Sequence, residues 1–317
     1  MNRPPKSSSS ADGSGAVNGT PAPRWSGRTR GGYWGNWFFV RLVRHLGVRW
    51  AYGWLVFVAA YFTLASPKSF RCSRDYLRRV LGPRAAWHWP LLVYRHFFAF
   101  GITLLDRLAA IMGDTRMQCR FDGEEQFVEA LDRGRGVLLL GSHVGNWEMG
   151  AHLLGRLGRP VNLVVLERER DQIRRLFGEA LERRQFRLLT TDEHPLRGVP
   201  ILAALRRGEI VALHGDRSFG THDLALPFLG GIARFPVGPY LLAAASGAPL
   251  FQVFAIREGI GRYRFFTYPA QYLDKRTLRE EPEAFRAAVV QYVERLIVVV
   301  REHPFQWHNI YPYWEAG

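Results

Sequence analysis

Three textures of apolar and polar positions succeed one another along the chain. Residues 1–32 show no apolar periodicity; they are rich in Ser, Gly, Pro and Ala with scattered Arg and Lys. No apolar core of the signal-peptide kind occurs there. With almost nothing to bury, this stretch is expected to be a disordered basic tail. Between Trp34 and Arg49, the apolar Trp34, Trp37, Phe38, Leu42 and Leu46 recur at helical spacing among Arg41, Arg44, His45 and Arg49. Tryptophan-flanked, arginine-laced helices of this kind lie in a membrane interface.

A charge-free run follows from Trp50 to Ser66, closed by Pro67 and Lys68. As a helix it is roughly 25 Å long, against about 30 Å of bilayer hydrocarbon. Arg41, Arg44 and Arg49 precede it, and Lys68, Arg71, Arg74, Arg78 and Arg79 follow it. A single span cannot place both basic flanks on the same side. The expectation is therefore a shallow or re-entrant insertion, with a single span and a buried helix of a soluble protein as alternatives. Residues 87–112 continue the helical pattern through Trp89, Tyr94, Phe97, Phe98 and Phe100. Arg95, Asp106 and Arg107 interrupt it, so a core helix is expected.

From residue 121 the texture becomes one of short apolar runs alternating with helical patterns. Val137–Leu140, Val161–Leu166, Ile210–Leu213 and Leu250–Ile256 read as buried strands, and Tyr263–Tyr268 as an alternating one. Helices are expected near residues 124–132, 147–157, 171–184, 196–207, 237–245 and 282–301. The alternation predicts an α/β domain with a mostly parallel central sheet flanked by helices. The expected organisation is a tail (1–32), a membrane-associated helical region (33–112) and an α/β domain (113–317).

Composition narrows the partners. With a formal charge of +15, the chain calls for an acidic one: nucleic acid, anionic lipid head groups or an acidic carrier protein. Cys72 and Cys119 stand far apart in the sequence, so neither a disulfide framework nor a zinc site is expected.

The chemistry concentrates at Gly141-Ser142-His143-Val144-Gly145-Asn146-Trp147-Glu148, where the strongest expected strand meets a helix. Reactive groups in such sheets gather at the carboxyl ends of strands. His143 would stand at the strand end and Glu148 in the first helical turn, with Gly145 letting the backbone turn sharply enough for them to meet. In such a dyad one ring nitrogen takes a proton from an attacking hydroxyl while the other donates to the carboxylate, fixing the tautomer. Among ten histidines, only His143 has an acidic residue five positions on. The spacing alone is weak evidence, and a structural His–Glu hydrogen bond is the alternative. Ser142 is no nucleophile by pattern, because the chain has no G-x-S-x-G elbow.

This block resembles the signature of the lysophospholipid acyltransferase superfamily, closest to its lipid A biosynthesis branch. That branch tolerates Glu where the wider superfamily carries Asp. Further blocks agree in order: Arg168 and Arg170, His214-Gly215-Asp216-Arg217, Arg234-Phe235-Pro236, and the terminal His303-Pro304-Phe305-Gln306-Trp307. The resemblance implies His143 and Glu148 as catalytic residues, with Asn146, Arg168, Arg170, Asp216, Arg217 and Arg234 binding substrate. A surface turn is the alternative for Asp216-Arg217. Arginine suits phosphate because its guanidinium binds it bidentately. Phe235 and the apolar helix after it could line an acyl tunnel or simply pack in the core.

What the resemblance implies is acyl transfer from acyl-ACP or acyl-CoA to a hydroxyl of a lipid A-type acceptor. The reaction would occur at the cytoplasmic face of the inner membrane, without metal or other cofactor. Other acceptors are a lysophospholipid, an amino-acid lipid or an aryl polyene-type lipid. A non-enzymatic basic protein is the alternative of another class. Nucleic acid is not expected as a partner, since no aromatic–basic binding motif occurs.

Overall fold

The computed structural model describes residues 33–112, 117–147, 149–150, 154, 157–165, 186–190, 198–217 and 223–315. The expected tail, the expected helix over 171–184, Glu148, Arg168 and Arg170 lie outside the described residues. Four helices come first: α1 (Tyr33–Leu46), α2 (Val48–Ala65), α3 (Pro67–Leu81) and α4 (Trp89–Ile111). The α/β part follows as β1 (Gln118–Asp122), α5 (Glu124–Asp132), β2 (Val137–Gly141), β3 (Val161–Val165) and β4 (Phe186–Thr190). It continues with α6 (Val199–Arg206), β5 (Ile210–His214), β6 (Asp223–Phe228), β7 (Gly231–Pro236) and α7 (Gly238–Ser246). The last elements are β8 (Leu250–Gly259), β9 (Arg262–Thr267), α8 (Lys275–Glu280) and α9 (Pro282–Glu302).

Seven strands form one sheet in the order β1-β9-β8-β2-β5-β3-β4. Strands β8, β2, β5, β3 and β4 run parallel, whereas β9 is antiparallel to β8 and β1 follows β9. The period-2 geometry of β2 sends Leu138 and Leu140 to one face and Val137 and Leu139 to the other. The first face meets α3, α4, α6, α7 and α9 in the largest core; the second meets Phe127, Ala130 and Leu131 of α5. Helices therefore cover both faces, as continuous apolar strands require.

Three elements escape the sequence pattern. Strand β1 (QCRFD) and strand β4 (FRLLT) are the edge strands of the sheet and mix charges with apolar residues. The β6–β7 hairpin is a separate two-stranded sheet turning through Leu229 and Gly230, both at positive φ. Such a turn matches the strand twist, but a leucine in it gives no sequence signal.

The N-terminal helices are joined to this body. Tyr76 and Leu77 of α3 and Trp89, Val93 and Phe97 of α4 belong to the largest core. Helix α2 packs one face, Val48, Ala51, Leu55 and Ala59, while Trp50, Trp54, Phe57, Tyr61 and Leu64 stay exposed. It is therefore not the buried helix of a soluble core. It is also the one described helix long and apolar enough to cross a membrane. Gly101 of α4 permits the close approach, since a β-carbon there would lie 2.3 Å from a Leu55 methyl.

Asp106, a charge that interrupts α4 in the sequence, is fully buried and accepts hydrogen bonds from the hydroxyls of Tyr52 on α2 and Tyr263 on β9. Burial, and then the charge of Asp106, push the Tyr263 hydroxyl far above its usual range, so it remains a donor. Asp106→Ala would leave two hydroxyls without this acceptor, at about 3 kcal/mol by the cost of unsatisfied buried groups. A chemical-denaturation midpoint that falls accordingly is the expected result; an unchanged midpoint would contradict this role.

Candidate functional site

Two adjacent strands build the site. Parallel β2 and β5 pair with Gly141 opposite His214, so the chains leave the sheet side by side. Two residues past Gly141 stands His143; two past His214 stands Asp216. His143 Nδ1 lies 2.8 Å from Asp216 Oδ1, and the His143 backbone N–H donates to Oδ2 at 2.8 Å. Gly145 closes the loop at φ 60°, where a β-carbon would fall 1.8 Å from the Ala255 carbonyl oxygen. Only glycine fits there.

Asp216 is fully buried. Burial alone would raise its carboxyl, but the charge and hydrogen bond of His143, with His214 and Arg217 nearby, hold it well below the ordinary carboxylate range. An ionised Asp216 accepts only, so Nδ1 of His143 carries the proton. That tautomer leaves a lone pair on Nε2, which bonds no described residue. The His143 side chain is 18% exposed, so the lone pair can be reached. A proton acceptor held in one tautomer by a buried carboxylate is the working part of a general base.

The imidazole of His214 stacks on that of His143 at 4.0 Å between centroids, and Trp147 meets His214 edge-on at 4.6 Å. Burial, then the neighbouring His143, lower His214 far below its usual value, so it is neutral. His143, His214 and Asp216 bring ligand atoms within 4.8 Å of one another, the one such cluster among the described residues. Stacked rings direct their lone pairs along near-parallel planes rather than toward a common point, so the cluster suits proton transfer better than a metal ion.

Next to His214 lies a small apolar cavity of about 50 Å³, lined by Phe121, Leu139, Trp147, Leu154, Leu163, Val253 and Phe265, with His214 at its wall. It sits on the α5 side of the sheet. Phe235 is elsewhere, packed in the main core against Phe228. Of the two readings of Phe235, the structure gives core packing.

The other sequence candidates separate. Asp216 occupies Nδ1 of His143; Glu148, expected as its carboxylate partner, lies outside the described residues; and Asp216-Arg217 is no surface turn. Asp216 faces the imidazole rather than open solvent. Asn146, expected to bind substrate, is 1% exposed and donates to the Thr103 carbonyl, tying the loop to α4. Arg217 is buried, donates to the His308 carbonyl and lies over the Tyr311 ring. Arg234 sits on the β6–β7 hairpin, paired with Glu315 at 2.6 Å.

The sequence profile described as bacterial lipid A biosynthesis acyltransferase matches residues 25–316. The chain belongs to this family. Among curated relatives, it is 31% identical over 189 residues to a phosphatidylinositol mannoside acyltransferase of Mycolicibacterium smegmatis, covering 59% of each chain. A Mycobacterium tuberculosis protein of the same description is 28% identical over 61% of this chain and 59% of its own. The lipid A biosynthesis palmitoleoyltransferase of Escherichia coli is 25% identical over 75% of this chain and 79% of its own. The chain thus matches less than two thirds of the length of the mycobacterial relatives.

In this member of the lipid A acyltransferase family, sequence reasoning missed a strap formed by residues 303–315. Val144 and Trp307 form an antiparallel bridge, with Gly145 N–H donating to the Gln306 carbonyl and His308 N–H to that of His143. The Trp307 indole N–H donates to Asp216 Oδ2 at 2.8 Å, and the Tyr313 hydroxyl to the Asp216 carbonyl. Their sequence block was visible only through resemblance, since nothing local marks a strap that acts across the fold.

Three histidines near the strap are neutral in the folded protein. Burial lowers His96 to about 4 and pushes His214 and His308 well below their usual value. Their folded values lie below the unfolded one of about 6.5, so acid favours the unfolded chain, which takes protons that the folded chain refuses. Stability should fall from about pH 6.5 downward, by about 2 kcal/mol at pH 5 from His96, with further losses from His214 and His308. Asp216, whose carboxyl is held low in the folded protein, adds a loss as pH falls through the ordinary carboxylate range and below it. Thermal or urea midpoints across pH 7.5–4.5 check this; a flat profile would contradict it.

Proposed function

We propose that this protein transfers a fatty acyl group from acyl-ACP or acyl-CoA to a hydroxyl of a glycolipid, with His143 as general base and Asp216 as its partner. The observation that carries this reading is the ionised, buried Asp216 on Nδ1 of His143, whose ring stacks on His214 at the wall of an apolar cavity. The acceptor hydroxyl gives its proton to Nε2 while its oxygen attacks the thioester carbonyl. The tetrahedral intermediate then collapses with cleavage of the C–S bond, and the thiolate takes the proton back from the imidazolium. Asp216 stabilises that imidazolium without itself becoming protonated. The apolar lining of the cavity suits an acyl chain.

A glycolipid acceptor is supported by the relatives, whose descriptions name a phosphatidylinositol mannoside and lipid A. Arg168 and Arg170 are proposed ligands for the donor's phosphates, as guanidinium groups suit that contact. Glu148 is proposed as a second acidic group of the site.

The reaction is assigned to the cytoplasmic face of the inner membrane. On α1 and α2, Trp37, Phe38, Trp50, Trp54, Phe57, Tyr61 and Leu64 are exposed, with Leu64 84% exposed. Arg41, Arg44, Arg49, Lys68, Arg71 and Arg78 are exposed on the same helices and on α3. An aromatic surface rimmed with cations is what an anionic membrane holds. Alkaline carbonate should leave the full chain in the membrane pellet and release a chain beginning at Cys72. A full-length protein that partitions into the supernatant without detergent would refute the membrane assignment.

His143→Ala should lower turnover by roughly 10²–10⁴, the usual contribution of a general base. In a deletion strain, the wild-type gene should restore a glycolipid carrying one more acyl chain by mass spectrometry, and the His143→Ala gene should not. Asp216→Asn should cost more turnover than Glu148→Gln. Near-normal transfer by folded His143→Ala protein would refute the mechanism, and the reverse order of the two carboxylates would refute the assignment of Asp216.

A further inference from the structure

The terminal block His303-Pro304-Phe305-Gln306-Trp307 has no part in the proton transfer just described, yet one of its side chains reaches the catalytic carboxylate. Trp307 is fully buried, and its ring packs against Tyr76 and Tyr313, each at 4.9 Å between centroids. That packing fixes the indole plane, and its N–H meets Asp216 Oδ2 at 2.8 Å. The backbone on either side of the ring is bonded to the catalytic loop, at the Gln306 carbonyl and the His308 N–H. The Trp307 carbonyl is bonded in turn to His96 Nε2 at 2.9 Å, while His96 Nδ1 bonds the Ser73 hydroxyl at 2.8 Å. Neutral His96 therefore donates from Nε2 and accepts at Nδ1. A chain of hydrogen bonds runs Ser73–His96–Trp307–Asp216–His143, from helices α3 and α4 to the base.

We infer that Trp307 is a positioning residue for the acyl-transfer chemistry: its indole N–H holds the Asp216 carboxylate in the orientation that aligns His143. This rests on the reading of His143 as general base. Oδ1 of Asp216 takes the Nδ1 proton, and Oδ2 is held by two donors, the His143 N–H and the Trp307 N–H. The first of those moves with the histidine itself. The indole is the donor that ties the carboxylate to a different part of the fold, and without it Asp216 and His143 can tilt together.

The test is a double-mutant cycle with acyl transfer measured on the full chain in lipid. Trp307→Phe removes the N–H. Benzothienylalanine placed at 307 by amber suppression removes it while keeping the ring volume, which guards against simple loss of packing. Either change should lower kcat about tenfold and leave KM unchanged, the size expected for one hydrogen bond to a charged group. In an Asp216→Asn background the same change should cost less than about twofold, because residues acting through one another are non-additive. A benzothienylalanine protein with kcat within twofold of wild type would overturn the inference, as would equal losses in both backgrounds. His143→Ala, run alongside, separates the two claims. If it is inactive while position 307 is neutral, the role of Trp307 fails alone; if it stays active, the general-base reading fails and takes this inference with it.

Discussion

The buried charge of Asp216 is the constraint around which the site is organised. An isolated carboxylate removed from water costs several kcal/mol, and a protein that buries one must surround it with donors. Here they come from well-separated stretches of sequence: the His143 backbone and ring after β2, and the Trp307 indole from the C-terminal strap. Arg217 adds its charge nearby. The segments that hold His143 and Trp307 are far in sequence from Asp216 and from each other, so the site exists only when sheet and strap have closed around it. The same arrangement that stabilises the ionised carboxylate sets the tautomer of His143, because an acceptor at Nδ1 leaves the lone pair at Nε2.

The strap carries this organisation outward. Residues 306–308 lie along the catalytic loop as a short antiparallel pairing, and Gln306 bonds both the N–H and the carbonyl of Arg257 on β8. On the opposite side, His96 and Thr103 of α4 bond Trp307 and His308. Asn146 reaches the Thr103 carbonyl, and Asp106 one turn further along α4 joins Tyr52 of α2 to Tyr263 of β9. Helix α4 thus contacts the catalytic loop, the strap, the sheet and the apolar α2. Buried polar networks of this kind specify one arrangement, because each partly satisfied alternative leaves a group unpaired.

How much of this was legible in the sequence depends on how local each signal is. Four strands were readable because buried parallel strands need continuous apolar runs, β9 because its residues alternate, and the helices at 124–132 and 282–301 because their apolar positions recur at helical spacing. The edge strands β1 and β4 were not, since an edge needs charge to resist pairing with other chains. His143 was readable from its place after the strongest strand, whereas its partner was assigned by spacing along the chain. The sheet register brings in a carboxylate that spacing could not reveal: with Gly141 opposite His214, position 216 stands beside position 143, across 73 residues of sequence. Asn146 and Arg217 look like ligand-binding groups by residue type alone. Their burial against backbone carbonyls, which sequence does not encode locally, makes them part of the scaffold.

The proposed chemistry and the exposed helices answer to one requirement. No G-x-S-x-G elbow is present, and burial raises the Cys72 thiol, which makes it a poorer thiolate source. In the proposed mechanism acyl transfer through His143 is direct, which requires the acceptor to be bound while the thioester is in place. An acyl chain can be drawn from a carrier into the apolar cavity, but a glycolipid leaves its bilayer only at about 0.8 kcal/mol for each methylene brought into water. The less costly solution is for the enzyme to sit on the bilayer and present its base there. Helix α2 shows that division: small and aliphatic residues, Ala51, Leu55 and Ala59, pack inward beneath Gly101, while Trp50, Trp54, Phe57 and Tyr61 point away from the protein. A water-exposed protein would gain by reversing that pattern, because the larger side chains carry more stabilisation when buried. The bilayer surface proposed for this enzyme would remove that cost, because the medium outside α2 would itself be apolar.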